Sequence, residues 1–148
     1  MAQAPPRAWA KAWDPTEIGE AMDSLRPHPP TGIEKLEYEL IVRDLVNVLN
    51  AGAFAELSSF LHEDVVYRSS GRHAVRGASG VVTLCQDIAT TFHGVCIEIL
   101  SVAVDDNVVL VEEWMRLGLP GEQPRWVMGF ASYRMRGLLV AEWRRMHA

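Results

Sequence analysis

Apolar residues recur at every third or fourth position over residues 33–49, whereas β-branched and aromatic residues dominate from residue 95 onward. The first spacing is typical of an amphipathic helix, and the second composition is typical of half-buried strands. Thr31 and Glu34 form a capping-box pattern, and Gly52 suits the left-handed end of a helix. The pattern therefore predicts a first helix that begins after Thr31 and ends at Gly52.

Shorter segments of the same two kinds fill the rest of the chain. Before residue 95, the sequence predicts a short helix over 54–61, a strand over 65–69, a turn region over 71–77 and a third helix over 79–92. After it, breaks at 105–107, 118–124 and 136–137 divide the chain into four strands in a meander. This order predicts an α+β fold in which about three helices lie on one face of a curved antiparallel or mixed sheet.

Residues 1–31 differ from the rest, because six of the eight prolines lie within the first 30 positions. That density excludes long regular structure. Trp9 and Trp13 nevertheless lie four positions apart, and tryptophans are rare in a solvated tail. We therefore expect a proline-rich arm over 1–31 that packs on a single domain spanning 32–148.

Composition narrows the classes of function. The chain has 148 residues, of which 49% are hydrophobic and 22% charged, and its net charge is −5. We expect one globular domain with no basic surface for nucleic acid and no apolar run long enough to cross a membrane. Cys85 and Cys96 form neither a paired motif nor a metal-ligand spacing, and both are better explained as small buried apolar residues than as nucleophiles. We therefore expect no metal, no organic cofactor and a cytoplasmic location.

A lone carboxylate stands in an apolar row of the strand predicted over 108–117. Side chains alternate across a strand, so one row holds Val109, Val111, Glu113, Met115 and Leu117. A carboxylate in apolar surroundings is a candidate general base. We therefore take Glu113 as a candidate catalytic residue of an apolar pocket.

The last strand carries a lone arginine in the same way. Alternation predicts one row that holds Leu139, Ala141, Trp143 and Arg145. Since a buried charge is costly without a partner, we expect Arg145 to meet Glu113 inside the fold. The pair is either a catalytic couple or a structural ion pair at a sheet end, and alternation alone leaves both open.

Hydroxyl and imidazole groups give weaker signals. Tyr67 and Ser69 share one face of the first predicted strand, where their hydroxyls either point into a cavity or bond locally. The five histidines stand beside turns or element ends, and none has the spacing of a nucleophile triad. We expect surface or capping roles for most of them.

Four segments carry a resemblance to a known family: HEDVVYRSS at 62–70, VVLVEEWMRL at 108–117, WVMGFASY at 126–133 and AEWRRM at 141–146. Together with the element order, they resemble the limonene-epoxide-hydrolase-like branch of the NTF2-like, or SnoaL-like, superfamily. The resemblance covers about residues 33–148 and implies a cone-shaped fold that encloses an apolar pocket. It also implies a homodimer formed through the outer face of the sheet, where Leu110 and Trp114 are expected.

In that family a tyrosine, an asparagine and an Asp/Arg/Asp triad hold a water that opens an epoxide. The tyrosine corresponds to Tyr67, but Ser69 stands at the asparagine position. Glu113 replaces the triad arginine, Met115 the base aspartate and Arg145 the acid aspartate. The chain thus keeps one acidic and one basic group in exchanged places, and an arginine is a poor general acid.

Three functions fit these residues, each with a small hydrophobic ligand. The surviving groups best suit a SnoaL-like cyclase or isomerase of secondary metabolism, in which Glu113 abstracts a proton beside a carbonyl while Arg145 and Tyr67 stabilise the enolate. The second is an epoxide hydrolase or epoxide-opening cyclase with an altered triad, and the third is a binding or accessory protein without catalysis. The expected substrate contacts are Ser69, Val111, Met115, Leu117 and Trp143.

Overall fold

The computed structural model describes residues 29–71 and 73–147. Its helices are α1 (Gly32–Ala51), α2 (Phe54–Leu57) and α3 (Ala78–Thr91), with a 3₁₀ turn at Ser58–Phe60. Its strands are β1 (Leu61–Ser69), β2 (Val75–Arg76), β3 (Val95–Asp105), β4 (Val108–Leu117), β5 (Arg125–Arg136) and β6 (Leu139–His147). The arm over 1–31 falls almost wholly outside the described residues and stays a prediction.

One six-stranded sheet organises the fold, with its strands in the order β2-β1-β6-β5-β4-β3. Strands β3 to β6 form the predicted antiparallel meander, whereas β1 runs parallel to β6 and antiparallel to β2. Helix α1 packs against β3, and α3 packs against β1. The prediction of an α+β fold with a curved, mixed sheet and three helices is confirmed.

Helix α1 begins and ends where the sequence predicts. The Thr31 hydroxyl accepts a hydrogen bond from the Glu34 backbone N–H at 3.2 Å, and Gly52 ends the helix with a φ of 68°. That left-handed conformation is strained for residues other than glycine. Within 29–71 and 73–147, no helix is both long enough and apolar enough to span a membrane.

The last turn of α1 is fixed to the free edge of the sheet by one side chain. Asn50 Nδ2 donates to the Ile97 carbonyl at 2.8 Å, and Asn50 Oδ1 accepts from the Ile97 N–H at 2.7 Å. Strand β3 is the outermost strand, so these backbone groups have no neighbouring strand to bind. The amide therefore completes the edge of the sheet and joins it to the helix.

Two boundaries differ from the prediction. Strand β1 begins at Leu61, four residues earlier than predicted, so the short helix expected over 54–61 is reduced to α2 and the 3₁₀ turn. The turn region predicted over 71–77 contains β2, which pairs with β1 beside Tyr67. This pairing satisfies backbone groups along the outer edge of β1, a requirement that side-chain patterns do not reveal.

A bulge between β5 and β6 changes which side chains of the last strand point inward. The pairing register skips Ala141. As a result Val140 is fully buried, while Leu139 and Ala141 are only partly buried. The predicted inner row is therefore wrong in its first half, because a bulge exchanges the two faces of a strand. Beyond the bulge, Trp143 and Arg145 point inward as predicted.

We expect Asn50→Ala to lower the free energy of unfolding by about 1–3 kcal/mol, since it removes two hydrogen bonds and each typically contributes about 0.5–1.5 kcal/mol. Urea denaturation measures the change. Asn47→Ala is the matched control, because Asn47 is an exposed asparagine of the same helix and alanine raises helix propensity at both positions. Equal effects of the two substitutions would contradict the role given to Asn50.

Candidate active-site cavity

A cavity of about 330 Å³ lies between the helices and the inner face of the sheet. Most of its wall is apolar and includes Leu49, Phe54, Leu84, Ile88, Ile97 and Met115. The polar part of the wall consists of Tyr67, Ser69, Ser70, Cys85, Arg145 and His147. Within the described residues, the wall thus contains no carboxylate.

Two small residues of β5 allow side chains from the neighbouring strands β4 and β6 to meet over the inner face of β5. Gly129 pairs with Glu113 of β4, and Ala131 pairs with Arg145 of β6. Both small residues are buried on the inner face. Because neither has a side chain beyond Cβ, Glu113 and Arg145 reach across β5 and come into contact.

Glu113 and Arg145 form the buried ion pair that alternation predicts. Glu113 Oε1 lies 2.8 Å from Arg145 Nε, and the side chains are 0% and 7% exposed. These two atoms are close without being aligned as a hydrogen bond, and Arg145 Nη2 has no hydrogen-bond partner among the described residues. The pair balances its own charge, and the Arg145 side chain also lines the cavity.

Aromatic rings support the guanidinium group from the core. Arg145 Cζ lies 5.1 Å from the centroid of the Trp143 ring. Trp143 stacks on Tyr133 with centroids 5.4 Å apart, and it meets Tyr67 edge to face at 5.1 Å. Because Trp143 and Tyr133 are fully buried, this stack fixes the position of Arg145 without contacting solvent.

Burial and neighbouring groups determine the protonation of Tyr67 and Arg145. Burial raises the pKa of the Tyr67 hydroxyl, an effect that Arg145 partly offsets. Burial lowers the pKa of Arg145, but the facing oxygens of Tyr133 and Glu113 reverse this effect and leave the pKa raised. Both groups are therefore protonated near neutral pH and act as hydrogen-bond donors.

Two further titratable groups of the wall behave differently from each other. Burial raises the pKa of the Cys85 thiol to about 11, so Cys85 is a protonated, buried residue, as the sequence predicts. Burial, together with Arg145, lowers the pKa of His147, so its imidazole is neutral at pH 7. His147 is exposed, in line with the surface role expected for most of the histidines, and it also lines the cavity, which the sequence reasoning missed. Its position two residues after Arg145 was the signal that could have found it.

The predicted site residues divide into a wall and a support. Tyr67, Ser69, Met115, Leu117 and Arg145 line the cavity. Glu113, Val111 and Trp143 lie behind the wall, buried in the core. One expectation is wrong: Cys96 is exposed rather than buried, since it lies on the outer face of the sheet, opposite Arg116 of β4.

An α+β cone with an apolar cavity between its helices and a curved sheet is the architecture of NTF2-like proteins. Within that class, the sequence profile of the SnoaL-like domain matches residues 42–143. The chain therefore belongs to the SnoaL-like family. No match was found among curated proteins.

Solved structures share the fold at low sequence identity. An LEH-like epoxide hydrolase from M. tuberculosis is 22% identical with a TM-score of 0.70, over 78% of this chain and 85% of that one. An NTF2-like protein from Cytophaga hutchinsonii is 14% identical with a TM-score of 0.62, over 74% and 98%. TerC, co-crystallized with polyporic acid, is 11% identical with a TM-score of 0.69, over 76% and 92%. These similarities establish the fold alone.

We expect Glu113→Leu to lower the free energy of unfolding by about 3–5 kcal/mol, because it leaves the buried Arg145 charge without a partner. The double variant Glu113→Leu/Arg145→Met is expected to recover most of that loss, since well-packed apolar residues often replace a buried pair at no cost. Chemical denaturation of the wild-type protein, Glu113→Leu, Arg145→Met and the double variant measures the cycle.

The matched control for this cycle is Glu39→Leu. Glu39 forms an exposed ion pair with Arg43 at 3.3 Å, and such a pair contributes only about 0.3–0.5 kcal/mol. A loss at Glu113 no larger than the loss at Glu39 would contradict the burial and the pairing described above.

Proposed function

We propose that this protein is an acid/base enzyme of the SnoaL-like cyclase or isomerase type that acts on a small hydrophobic carbonyl compound in secondary metabolism. The observation that carries the proposal is the buried Arg145 guanidinium in the wall of an apolar cavity, beside the Tyr67 hydroxyl. These two donors would bind the oxygen atom on which negative charge develops when a carbonyl compound enolises.

The surroundings of these donors favour such a role. A fixed donor is worth more in an apolar, water-poor site than in water, because the low dielectric strengthens its interaction with charge. Arg145 is held by the Glu113 carboxylate and the Trp143 ring, so little reorganisation is needed when charge appears. Ser69 pairs with Arg145 across β1 and β6 and adds a hydroxyl to the same part of the wall.

Glu113 has a different role in this proposal from the one expected of a general base. It is fully buried, it is ion-paired with Arg145, and it lies behind the wall. We therefore propose that Glu113 is a positioning residue, which compensates the charge of Arg145 and orients its guanidinium toward the cavity.

The cavity also limits the substrate class. Its wall is apolar except near Tyr67, Ser69, Arg145 and His147, so a ligand would bury a hydrocarbon body and direct one oxygen-bearing end toward these groups. The hydrogen-bond donors at that end suit a neutral carbonyl or an organic acid. TerC, which has the same fold, was co-crystallized with an acid.

Epoxide opening by the route of the limonene epoxide hydrolases is less well supported. That route needs two carboxylates, one as base and one as acid, on the cavity side of the sheet. Met115 and Arg145 occupy the corresponding positions, and the described part of the wall has no carboxylate. The structural similarity to an LEH-like epoxide hydrolase, at 22% identity, extends to the fold only.

The proposed function is tested with 2-tetralone, a bicyclic ketone whose α-hydrogens exchange with deuterium when it enolises. In D₂O followed by NMR, the wild-type protein is expected to accelerate this exchange above the buffer rate. Tyr67→Phe is expected to slow it roughly 10²-fold, because it removes one donor to the enolate oxygen.

The companion measurement is binding of 2-naphthol, whose ionised form resembles an enolate, against naphthalene, which lacks the oxygen. Arg145→Lys should weaken 2-naphthol binding and leave naphthalene binding unchanged, since only the former contacts the donor. If the protein binds naphthalene as tightly as 2-naphthol and does not accelerate the exchange of 2-tetralone, a binding protein without catalysis is the better description. Hydrolysis of limonene oxide to a diol would favour an epoxide hydrolase instead.

We also propose that the protein forms a homodimer through the outer face of the sheet. An outer patch of apolar side chains covers β4, β5 and β6 there and consists of Leu110, Trp114, Trp126, Phe130 and Met146. Phe130 and Met146 are directly paired neighbours and are 59% and 63% exposed. Large apolar side chains clustered on one outer face of a sheet are typical of a protein interface.

Light scattering of the wild-type protein is expected to give the mass of two chains, and Phe130→Asp is expected to give the mass of one, because it places a charge at the centre of the interface. Leu138→Asp is the matched control. Leu138 is 59% exposed, as Phe130 is, but lies in the turn between β5 and β6. A single-chain mass for the wild-type protein would refute the dimer.

A further inference from the structure

The proposed enolisation requires a proton acceptor, and the cavity wall restricts which residue this is. Four wall residues titrate: Tyr67, Cys85, Arg145 and His147. Burial raises the pKa of both Tyr67 and Cys85, and an arginine is always protonated. Among the described wall residues, His147 is the one side chain with a basic lone pair that is unprotonated at neutral pH.

We propose that His147 is the catalytic base of the cavity, where its neutral imidazole accepts the α-proton of a carbonyl substrate whose oxygen is bound by Arg145 and Tyr67. This inference rests on the proposed function. In the step, the C–H bond breaks, the proton forms an N–H bond on the imidazole, and the electron pair moves onto the carbonyl oxygen as an enolate. Return of the proton to another carbon completes an isomerisation, and attack of the enolate on an electrophilic carbon of the same substrate closes a ring.

The backbone of β5 makes room for this imidazole. His147 pairs with Gly129, and a Cβ atom at position 129 would lie 2.7 Å from His147 Cδ2 and 2.8 Å from the Met146 carbonyl oxygen. No side chain other than hydrogen fits at that distance. Glycine at position 129 therefore lets the ring lie across β5, in the same cross-strand row as Glu113.

The charges that face His147 keep its imidazole in the accepting form. Partial burial disfavours a positive charge on the imidazole, and Arg145, on the same strand, acts in the same direction. Glu113, from β4, acts in the opposite direction but is ion-paired with Arg145. The other titratable wall groups, Tyr67 of β1 and Cys85 of α3, are protonated and neutral. The net result is a pKa below the usual imidazole value, so the base stays available in mildly acidic solution.

The test compares 2-tetralone exchange in the wild-type protein, in His147→Gln and in the control His73→Gln, whose histidine is exposed in the loop before β2. His147→Gln is expected to slow exchange by about 10²-fold or more, the usual contribution of a general base, and His73→Gln to leave it unchanged. Binding of 2-naphthol should stay within about twofold in both variants, because its oxygen is held by Arg145 and Tyr67.

A pH profile separates a base from a merely structural histidine. In the wild-type protein, exchange should fall as the pH falls through the pKa of His147, below the usual imidazole value, and in His147→Gln this acid limb should be absent. Exchange within twofold of wild type in His147→Gln, or an unchanged acid limb, overturns the assignment to His147 but leaves the proposed function intact. Absence of exchange in the wild-type protein overturns both.

Discussion

The contact between Glu113 and Arg145 is the interaction on which the rest of the site depends. It joins β4 to β6 across the inner face of β5. The two side chains can meet there because Gly129 and Ala131 have no side-chain atoms beyond Cβ to separate them. A guanidinium group this deeply buried is tolerable only with a carboxylate beside it. The Glu113 carboxylate is thus ion-paired with Arg145, and Arg145 contributes a cationic group to the cavity wall.

Much of the fold could be predicted because its signals are local. The Thr31 cap, the left-handed Gly52 and the turn residues between the last four strands each act over a few positions, and the structure has helix and strand ends there. Strand alternation also identified the inward row of β4, including Glu113. The Glu113–Arg145 ion pair could be predicted because burying an unpaired charge is costly, so two opposite charges inside one small core are expected to pair.

The parts that could not be predicted depend on pairing between distant segments. The bulge beside Ala141 is a property of the register between β5 and β6, and it reverses the faces of the residues before it. Strand β2 exists because β1 has an outer edge to satisfy. Whether a buried residue lines the cavity or lies behind its wall also depends on contacts between distant segments. Alternation placed Glu113 and Arg145 inside, but only the structure separates a residue behind the wall from one in it.

The parallel pairing of β1 with β6 has a consequence for how the site comes into being. Tyr67 and Ser69 come from the first half of the chain, whereas Arg145 and His147 come from its last strand. The meander can form from sequential hairpins, but these two strands meet only after a long loop closes, which is an entropically demanding and slow event. A chain in which the meander has formed but β1 has not yet paired with β6 would have most of its sheet. It would not yet have Tyr67 and Ser69 beside Arg145 and His147 in the cavity wall. The polar part of the wall is therefore carried by no single segment, because it requires β1 and β6 to pair.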